Sequence, residues 1–349
     1  PLCIMYRIAI NGFGRIGKNI ARALLNQSHN KNDIEIVAIN DLGCPKIHSH
    51  LLKYDSVHGV INKSITSNDS SITVDDHEIL YFSSNDPSAL PWRELNIDLV
   101  LECTGHFTER DNAAKHINAG AKKVLISAPS NDADKMVVFG VNHHTIEPSD
   151  QIISNASCTT NCLAPLVKCL HESMQISSGI INTIHAATND QNVLDNYHSD
   201  PYRARSSFES LIPTKTGAAS AIGKIIPELN GKLTGLATRV PVTNVSMLDF
   251  TFTARNILTI DELKELLLHA SSTSLKNILS INDDPLVSSD FNGKKASCIV
   301  DFNFIEKVEN QYKLIAWYDN ESGFSNRMID LARFWLDLEY GDINIKKVI

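Results

Sequence analysis

Long apolar runs are missing from this 349-residue chain, and no stretch approaches the roughly 18 residues of a membrane span. Pro1-Leu2-Cys3-Ile4-Met5 lacks the charged-then-apolar layout of a secretory signal, and Met5 is read as the natural start after a short extension. The seven cysteines are odd in number, scattered and never in CxxC spacing. That argues against a disulfide framework and against a zinc site, so no metal is expected, and a reducing cytoplasm is the natural setting. Basic charge is also short, with 32 Lys and Arg against 40 Asp and Glu and a net charge of −8. Bulk nucleic-acid binding is disfavoured, and any anionic ligand must be met by a few local arginines. Internal repeats and low-complexity segments are absent. What remains is an ordinary globular composition, 43% hydrophobic and 21% charged, long enough for two domains with full cores.

One stretch organises the rest: Ser154-Asn155-Ala156-Ser157-Cys158-Thr159-Thr160-Asn161-Cys162-Leu163-Ala164-Pro165. Cap-forming polar residues precede Cys162, Leu163, Leu166, Val167, Leu170 and Met174, which follow a helical period. The run reads as a strand end, a tight turn and the start of a buried helix. Cys158 then lies at the helix N-terminus, where exposed N–H groups and the macrodipole favour a thiolate. The dipole supplies roughly 0.3–1 kcal/mol. Lowering a thiol pKa from about 8.5 to about 6 takes roughly 3.4 kcal/mol, so a second partner is needed. The β-branched run Ile181-Asn182-Thr183-Ile184 ends in His185, a suitable partner. On these residues alone a structural core cysteine stays equally open.

Near the start, the strand Tyr6-Arg7-Ile8-Ala9-Ile10 runs into Asn11-Gly12-Phe13-Gly14-Arg15-Ile16-Gly17 and then an amphipathic helix from Lys18 to about Gln27. A second strand, residues 34–40, ends in Asp41. A glycine-rich turn between strand and helix is the context of a dinucleotide-binding fold. Gly12, Gly14 and Gly17 would admit a pyrophosphate to the helix N-terminus. Asp41 would accept from the adenosine ribose and repel a 2′-phosphate, favouring NAD over NADP; without the glycines it would read as a solvated loop acid. Further apolar strands at 98–103, 123–127 and 136–139 suggest a mostly parallel open sheet. Polar–apolar alternation over 60–82, around Asn68-Asp69 and Asp75-Asp76, suggests hairpin strands added to it.

After the Cys158 helix the pattern changes to long alternating strands at 179–186, 235–242, 245–254, 297–304 and 312–317, the look of an antiparallel sheet carrying one face of helices. Residues 187–211 have little regular period, and so long a loop inside a compact domain is usually functional. A last helix from Glu321 to about Leu338 places Phe324, Met328, Leu331, Trp335 and Leu338 on one stripe. No function is assigned to the tail, residues 340–349.

Ser-Asn-Ala-Ser-Cys-Thr-Thr-Asn-Cys resembles the active-site signature of glyceraldehyde-3-phosphate dehydrogenases, and the resemblance runs from Arg7 to about Trp335. It implies an α/β Rossmann-type NAD-binding domain (1–157 and 320–349) and an α+β catalytic domain of mostly antiparallel sheet (158–319). The implied reaction converts D-glyceraldehyde 3-phosphate to 1,3-bisphosphoglycerate with NAD⁺ and inorganic phosphate. Cys158 is the implied nucleophile, and His185 holds its thiolate as an ion pair before acting as base and acid. By the same resemblance Thr188 and Arg239 hold the substrate phosphate, while Ser157, Thr159, Thr216 and Gly217 hold the attacking one. Arg203 reaches toward both, whereas Arg205 is read as structural. Arg15, Ile16 and Ser127 match cofactor contacts, and Asn320 matches the asparagine that orients the nicotinamide carboxamide. The irregular loop corresponds to one lying near a neighbouring subunit's cofactor, which implies a homotetramer, and the last helix is implied to return to the NAD domain.

Four positions depart from the family pattern: Asn85, Ala187, Tyr202 and Ser322. None is a proposed catalytic group; they bear on the adenine side, the nicotinamide surroundings and subunit contacts. The related erythrose-4-phosphate dehydrogenases tend to lose Thr-Lys-Thr-Gly and the threonine after the histidine. This chain keeps Thr188 and Thr214-Lys215-Thr216-Gly217, so the triose enzyme is the better reading. Aspartate-semialdehyde dehydrogenase motifs are absent. A non-catalytic NAD or redox-sensing binding protein remains a further alternative, opposed by the retention of His185 and Arg239.

Overall fold

The structure, a computed structural model, describes residues 5–27 and 33–340, with the backbone alone at 339 and 340. The expectations for residues 1–4 and for the tail beyond 340 lie outside these. The chain divides into two compact units, one holding the chain up to Val137, His143–Ala156 and the chain from Ser325, the other Val138–Asn142 and Ser157–Phe324.

The first unit runs β1 (Tyr6–Asn11), α1 (Arg15–Leu25), β2 (Ile34–Asn40), α2 (Pro45–Lys53), β3 (Tyr54–Asp55), β4 (Gly59–Val60), β5 (Ile65–Ser67), β6 (Ser71–Val74), β7 (His77–Phe82), β8 (Leu99–Glu102), α3 (Arg110–Asn118), β9 (Lys123–Ile126), β10 (Lys135–Met136) and β11 (Ile152–Ser154). Its main sheet has the order β10-β11-β9-β8-β1-β2-β7-β6-β5. The strands from β10 to β7 pair in parallel, while β7, β6 and β5 pair antiparallel, the appended hairpins that the alternation over 60–82 suggested. Ile8, Ala9 and Ile10 are buried, as a central parallel strand covered on both faces requires. Chain order reverses beside β1, which lies between β2 and β8. In an open α/β sheet the crevice beyond the strand ends at such a switch point is where ligands bind.

The second unit contains α4 (Cys158–Met174), β12 (Ile176–Ala186), β13 (Ile212–Lys215), α5 (Ala218–Ile225), β14 (Leu233–Val240), β15 (Ser246–Ala254), α6 (Ile260–Ser272), β16 (Leu279–Asn282), β17 (Cys298–Val308) and β18 (Gln311–Tyr318). Its sheet order is β13-β14-β12-β15-β18-β17-β16. Four pairings are antiparallel, and β12–β14 and β16–β17 are parallel. Along β15 and β18 burial alternates residue by residue, and α4 packs on the sheet with Cys162, Leu163, Leu166, Val167, Leu170 and Met174 all buried. On the other side Ile180, Leu236, Phe304 and Val308 are exposed. Helix α7 (Ser322–Tyr340) continues from this unit into the first. There Arg333 donates to Asp33 at 2.8 Å, and Tyr6 donates its hydroxyl proton to Asp337 at 2.6 Å.

Close approach of β12 and β14 depends on Gly235, because a Cβ there would overlap the carbonyl oxygen of Ile181. Overpacking of this kind typically costs about 1–3 kcal/mol. Gly235→Ala should therefore lower the stability measured by denaturant unfolding by that amount, and an unchanged midpoint would show that the strand pair yields freely.

Candidate active site

In the first unit, β1 ends at Asn11 and the chain turns through Gly12, whose φ is +89°. A Cβ on Gly12 would lie 2.6 Å from the backbone N of Thr104, and one on Gly17 would overlap the carbonyl oxygen of Gly12. Both glycines are thus required by contact. Gly14 differs. It is the N-cap of α1, no side chain caps that end, and a Cβ at Gly14 would meet nothing within 4 Å. Uncapped N–H groups beside open space fit the pyrophosphate of NAD. Ile16, half-buried, lies on the same first turn.

Around this turn the side chains are tied down. Arg15 grips Asp55 through two hydrogen bonds of 2.6 and 3.1 Å. Burial opposes ionisation of Asp55, but Arg15 and the N–H groups of His58 and Val57 outweigh it and bring its carboxyl down to about 2. Asp41 accepts from the N–H of Phe13 at 2.7 Å, from that of Gly43 at 2.9 Å, and pairs with His48 at 3.0 Å. The His48 side chain, against burial and with those N–H groups, holds its carboxyl well below the usual carboxylate range. Three of about four acceptor positions are filled, so Asp41 has room for one ribose hydroxyl rather than several. Ser127 follows β9, and its N–H donates to the Glu102 carbonyl at 2.9 Å.

In the second unit, the reactive groups meet where α4 starts and β12 ends. Ser157 caps α4, its Oγ accepting from the Thr160 N–H at 3.1 Å and lying 2.8 Å from the Thr160 hydroxyl. Cys158 is the first helical residue, and its Sγ lies 3.4 Å from His185 Nε2. On the other side of the ring, Nδ1 donates to the Ala186 carbonyl at 2.7 Å. A carbonyl can only accept, so a neutral His185 carries its proton on Nδ1 and offers the Nε2 lone pair to the thiol.

Burial pushes the Cys158 thiol up, against Arg239, the Thr159 hydroxyl and the N–H groups of Thr159 and Cys158. It pushes the His185 imidazole down to about 3, helped by Arg239 and Arg203 and opposed by the bond to Ala186. Burial thus works against the thiolate–imidazolium pair expected from the resemblance, while Arg239 and the N–H groups at the start of α4 favour the charged sulfur and the Ala186 carbonyl favours the charged ring.

Arg239 lies opposite His185 in the parallel β12–β14 register. It donates through Nη1 to the Thr188 hydroxyl at 2.9 Å, to Gln191 Oε1 at 3.2 Å and to the Ala186 carbonyl at 3.4 Å. Its Nε is buried without a partner, a donor suited to an anion. Thr216 and Gly217 stand at the start of α5. Thr216 is half-buried and Gly217 exposed, and Thr216 Oγ1 accepts from the Ala218 N–H at 3.3 Å. Asn320 is buried, its Oδ1 accepting from the Ser246 hydroxyl at 3.2 Å, while Ser246 Oγ accepts from the Ala186 N–H at 3.0 Å.

The Thr159 hydroxyl is buried, lies 2.9 Å from the Tyr318 hydroxyl and favours the Cys158 thiolate. Arg203 does not reach freely toward two phosphates. It is held by Asp190, by Thr214 Oγ1 at 3.1 Å and by the Lys215 carbonyl at 3.4 Å, with Asp200 at 3.7 Å. Arg205, by contrast, is an exposed side chain on Asp195 at 2.9 Å.

The sequence reading missed Tyr318, Gln191, His48 and Ser246. Tyr318 is buried, links Thr159 to the Thr183 hydroxyl at 2.7 Å, and turns its ring toward His185 at 6.1 Å between centroids. Its place two residues before Asn320 was the one available signal.

A Rossmann-type unit joined in one chain to a unit carrying a cysteine–histidine pair and anion donors defines a nicotinamide-dependent aldehyde-oxidising enzyme of the cysteine-nucleophile class. Residues 6–110 match the model of the glyceraldehyde 3-phosphate dehydrogenase NAD binding domain, and residues 157–320 that of the C-terminal domain. The chain is 52% identical over 326 residues to the glyceraldehyde-3-phosphate dehydrogenase of Pseudomonas aeruginosa, covering 93% of this chain and 97% of the relative. It is 46% identical over 330 residues to that of Geobacillus stearothermophilus, covering 94% and 97%. With glyceraldehyde-3-phosphate dehydrogenase 1 of Bacillus cereus the identity is 47% over 332 residues, covering 95% and 98%. The chain belongs to the glyceraldehyde-3-phosphate dehydrogenase family.

Because Arg239 lowers the thiol pKa and also disfavours the imidazolium, Arg239→Leu should move the pH profile of Cys158 alkylation by iodoacetamide upward. At a fixed pH below the thiol pKa, raising that pKa by about one costs about tenfold in thiolate. His185→Asn should also slow alkylation by removing the proton acceptor. A profile that stays put in both variants would mean that other groups activate the sulfur.

Proposed function

We propose that this chain oxidises D-glyceraldehyde 3-phosphate to 1,3-bisphosphoglycerate, using NAD⁺ and inorganic phosphate, with the first unit as NAD-binding domain and the second as catalytic domain. The observation that carries the reading is the Cys158–His185 contact at 3.4 Å, placed in register with the unpartnered donor of Arg239. Cys158 attacks the aldehyde carbon as its proton passes to His185 Nε2 and then to the new oxygen, giving a hemithioacetal. His185 next withdraws the hydroxyl proton while the carbon–hydrogen bond breaks, leaving a thioester on Cys158. The Gly12–Gly17 turn would hold NAD⁺, which would supply the hydride acceptor, and Asn320 is assigned to the carboxamide by resemblance alone. Phosphate oxygen then attacks the thioester carbon, and the departing sulfur recovers its proton from His185.

Thr188 and Arg239 are assigned to the substrate phosphate, and Ser157, Thr216 and Gly217 to the attacking one. Arg203 acts by its charge, since an anion must compete with Asp190 for its donors. Each bound anion offsets the guanidinium field that disfavours imidazolium, so the base strengthens as the site fills.

Cys158→Ser should abolish turnover while NAD⁺ still binds. Thr216→Val should raise the apparent KM for inorganic phosphate by about 5–150-fold, the effect of an anion left partly unpaired. Wild-type kcat/KM for glyceraldehyde 3-phosphate should exceed that for erythrose 4-phosphate and should require phosphate. A preference for the tetrose, or a rate indifferent to phosphate, overturns the assignment.

A cytoplasmic homotetramer is proposed as the working form. Among the described residues no helix is long and apolar enough to cross a membrane. Val193, Leu194, Tyr197, Phe208 and Leu211 are exposed on the long irregular loop, as are Ile180, Leu236, Phe304 and Val308 on the open sheet face. Apolar surface of this extent marks an interaction site. Light scattering should give four times the 38.6 kDa chain mass; a monomer would refute this.

A further inference from the structure

At the carboxyl ends of three adjacent parallel strands, Asn40 of β2, Asn11 of β1 and Glu102 of β8 stand side by side in register. All three are buried. Asn40 Nδ2 donates to Asn11 Oδ1 at 2.7 Å, and Asn11 Nδ2 donates to Glu102 Oε2 at 2.6 Å. From the other side, Trp92 Nε1 donates to His116 Nδ1 at 3.0 Å, and His116 Nε2 lies 3.0 Å from the same Glu102 oxygen. Glu102 Oε1 accepts from both the N–H (2.8 Å) and the hydroxyl of Thr104.

The direction of these bonds is fixed at both ends. Asn40 is oriented by the Ser84 backbone, whose N–H it accepts at 2.9 Å and whose carbonyl it donates to at 2.9 Å. An indole N–H can only donate, so His116 must accept at Nδ1 and carry its proton on Nε2. Two donor chains and the Thr104 pair therefore converge, and four donors fill about the four acceptor positions of one carboxylate. Only an acceptor-only side chain can close this network.

The network also abuts the cofactor turn. Cys103 N–H donates to the Asn11 carbonyl at 2.7 Å, Gly12 N–H donates to the Asn40 carbonyl at 2.8 Å, and Gly12 has room for no Cβ against Thr104. We propose that Glu102 is a positioning residue for the dinucleotide-binding turn, locking the segment after β8 against Asn11 and Gly12. This rests on the reading of that turn as the NAD site.

In Glu102→Gln an amide N–H₂ must face either the Thr104 N–H or the fixed donors of Asn11 and His116. One buried donor loses its acceptor, and the Thr104 segment shifts against Gly12.

The test is NAD⁺ binding by titration calorimetry, with iodoacetamide alkylation of Cys158 measured without NAD⁺ on the same samples. Glu102→Gln should weaken binding about 10–100-fold while leaving the alkylation rate unchanged. Trp92→Phe, which leaves the carboxylate and its other donors in place, should weaken it less. Should Glu102→Gln fail to fold, Thr104→Val, which removes one donor and keeps the carboxylate, should weaken binding about 2–10-fold. Wild-type affinity in Glu102→Gln or in Thr104→Val overturns the inference while the NAD reading stands. A wild type that binds no NAD⁺ overturns that reading and this inference with it.

Discussion

The sulfur–imidazole contact between Cys158 and His185 sets the conditions that the rest of the second unit must meet. Two titratable groups in contact at 3.4 Å have been placed where burial disfavours either as an ion. Everything packed around them adjusts that balance. The N–H groups at the start of α4 and the Thr159 hydroxyl favour the thiolate, and the Ala186 carbonyl favours the imidazolium. Arg239 acts on both, lowering the thiol and opposing the charged ring. An anion beside Arg239 would offset the arginine field at the imidazole and so favour its charged form. Tyr318 then has a mechanical role: its hydroxyl ties Thr159 on α4 to Thr183 on β12, fixing the two elements that carry sulfur and ring.

In the first unit the governing constraint is steric. Three strand ends meet at Asn11, Asn40 and Glu102, and the chain leaving them must turn where no Cβ fits at Gly12. Close packing there leaves no room to move the Gly12 turn without moving the Thr104 segment. Polar groups forced inside by that packing need partners, and the converging donor chains on Glu102 supply them. Asp41 performs a related task from the other side, accepting the Phe13 N–H and so holding the turn.

What the sequence disclosed follows from locality. A cap residue, a cysteine and an apolar helical spacing lie within about five turns of α4, and the glycines lie within a few residues of each other, so period and spacing exposed both. Long alternating strands β12, β14, β15, β17 and β18 were legible for the same reason. The strands β13 and β16 were not: each has four residues, and one begins Ile-Pro. Tyr318 escaped because its partners are 159 and 135 positions away. The arrest of Arg203 by Asp190 depends on the path of an irregular loop that no periodicity describes. The residue types that suit a phosphate also suit a protein carboxylate or a tyrosine hydroxyl, and only the fold decides which of these Arg203 and Thr159 meet.

Three of the four departures from the family pattern, Ala187, Tyr202 and Ser322, bond through their backbone N–H groups. Ser322 begins α7 with its N–H on Asp319 Oδ1 at 2.7 Å, a bond any residue but proline can make. The N–H of Tyr202 donates to Asp200 at 2.9 Å while its ring is exposed, and the N–H of Ala187 donates to the Val242 carbonyl at 2.9 Å. Asn85 is exposed between Ser84, whose backbone fixes Asn40, and Asp86, which caps the following turn. At Ala187 and Tyr202 the bond is made by the peptide N–H, and at Ser322 by the N–H together with the hydroxyl, which donates to the Gly293 carbonyl at 3.3 Å. Glu102 is the opposite case. There the fold asks for a particular set of acceptors, and no neutral side chain of that length provides it.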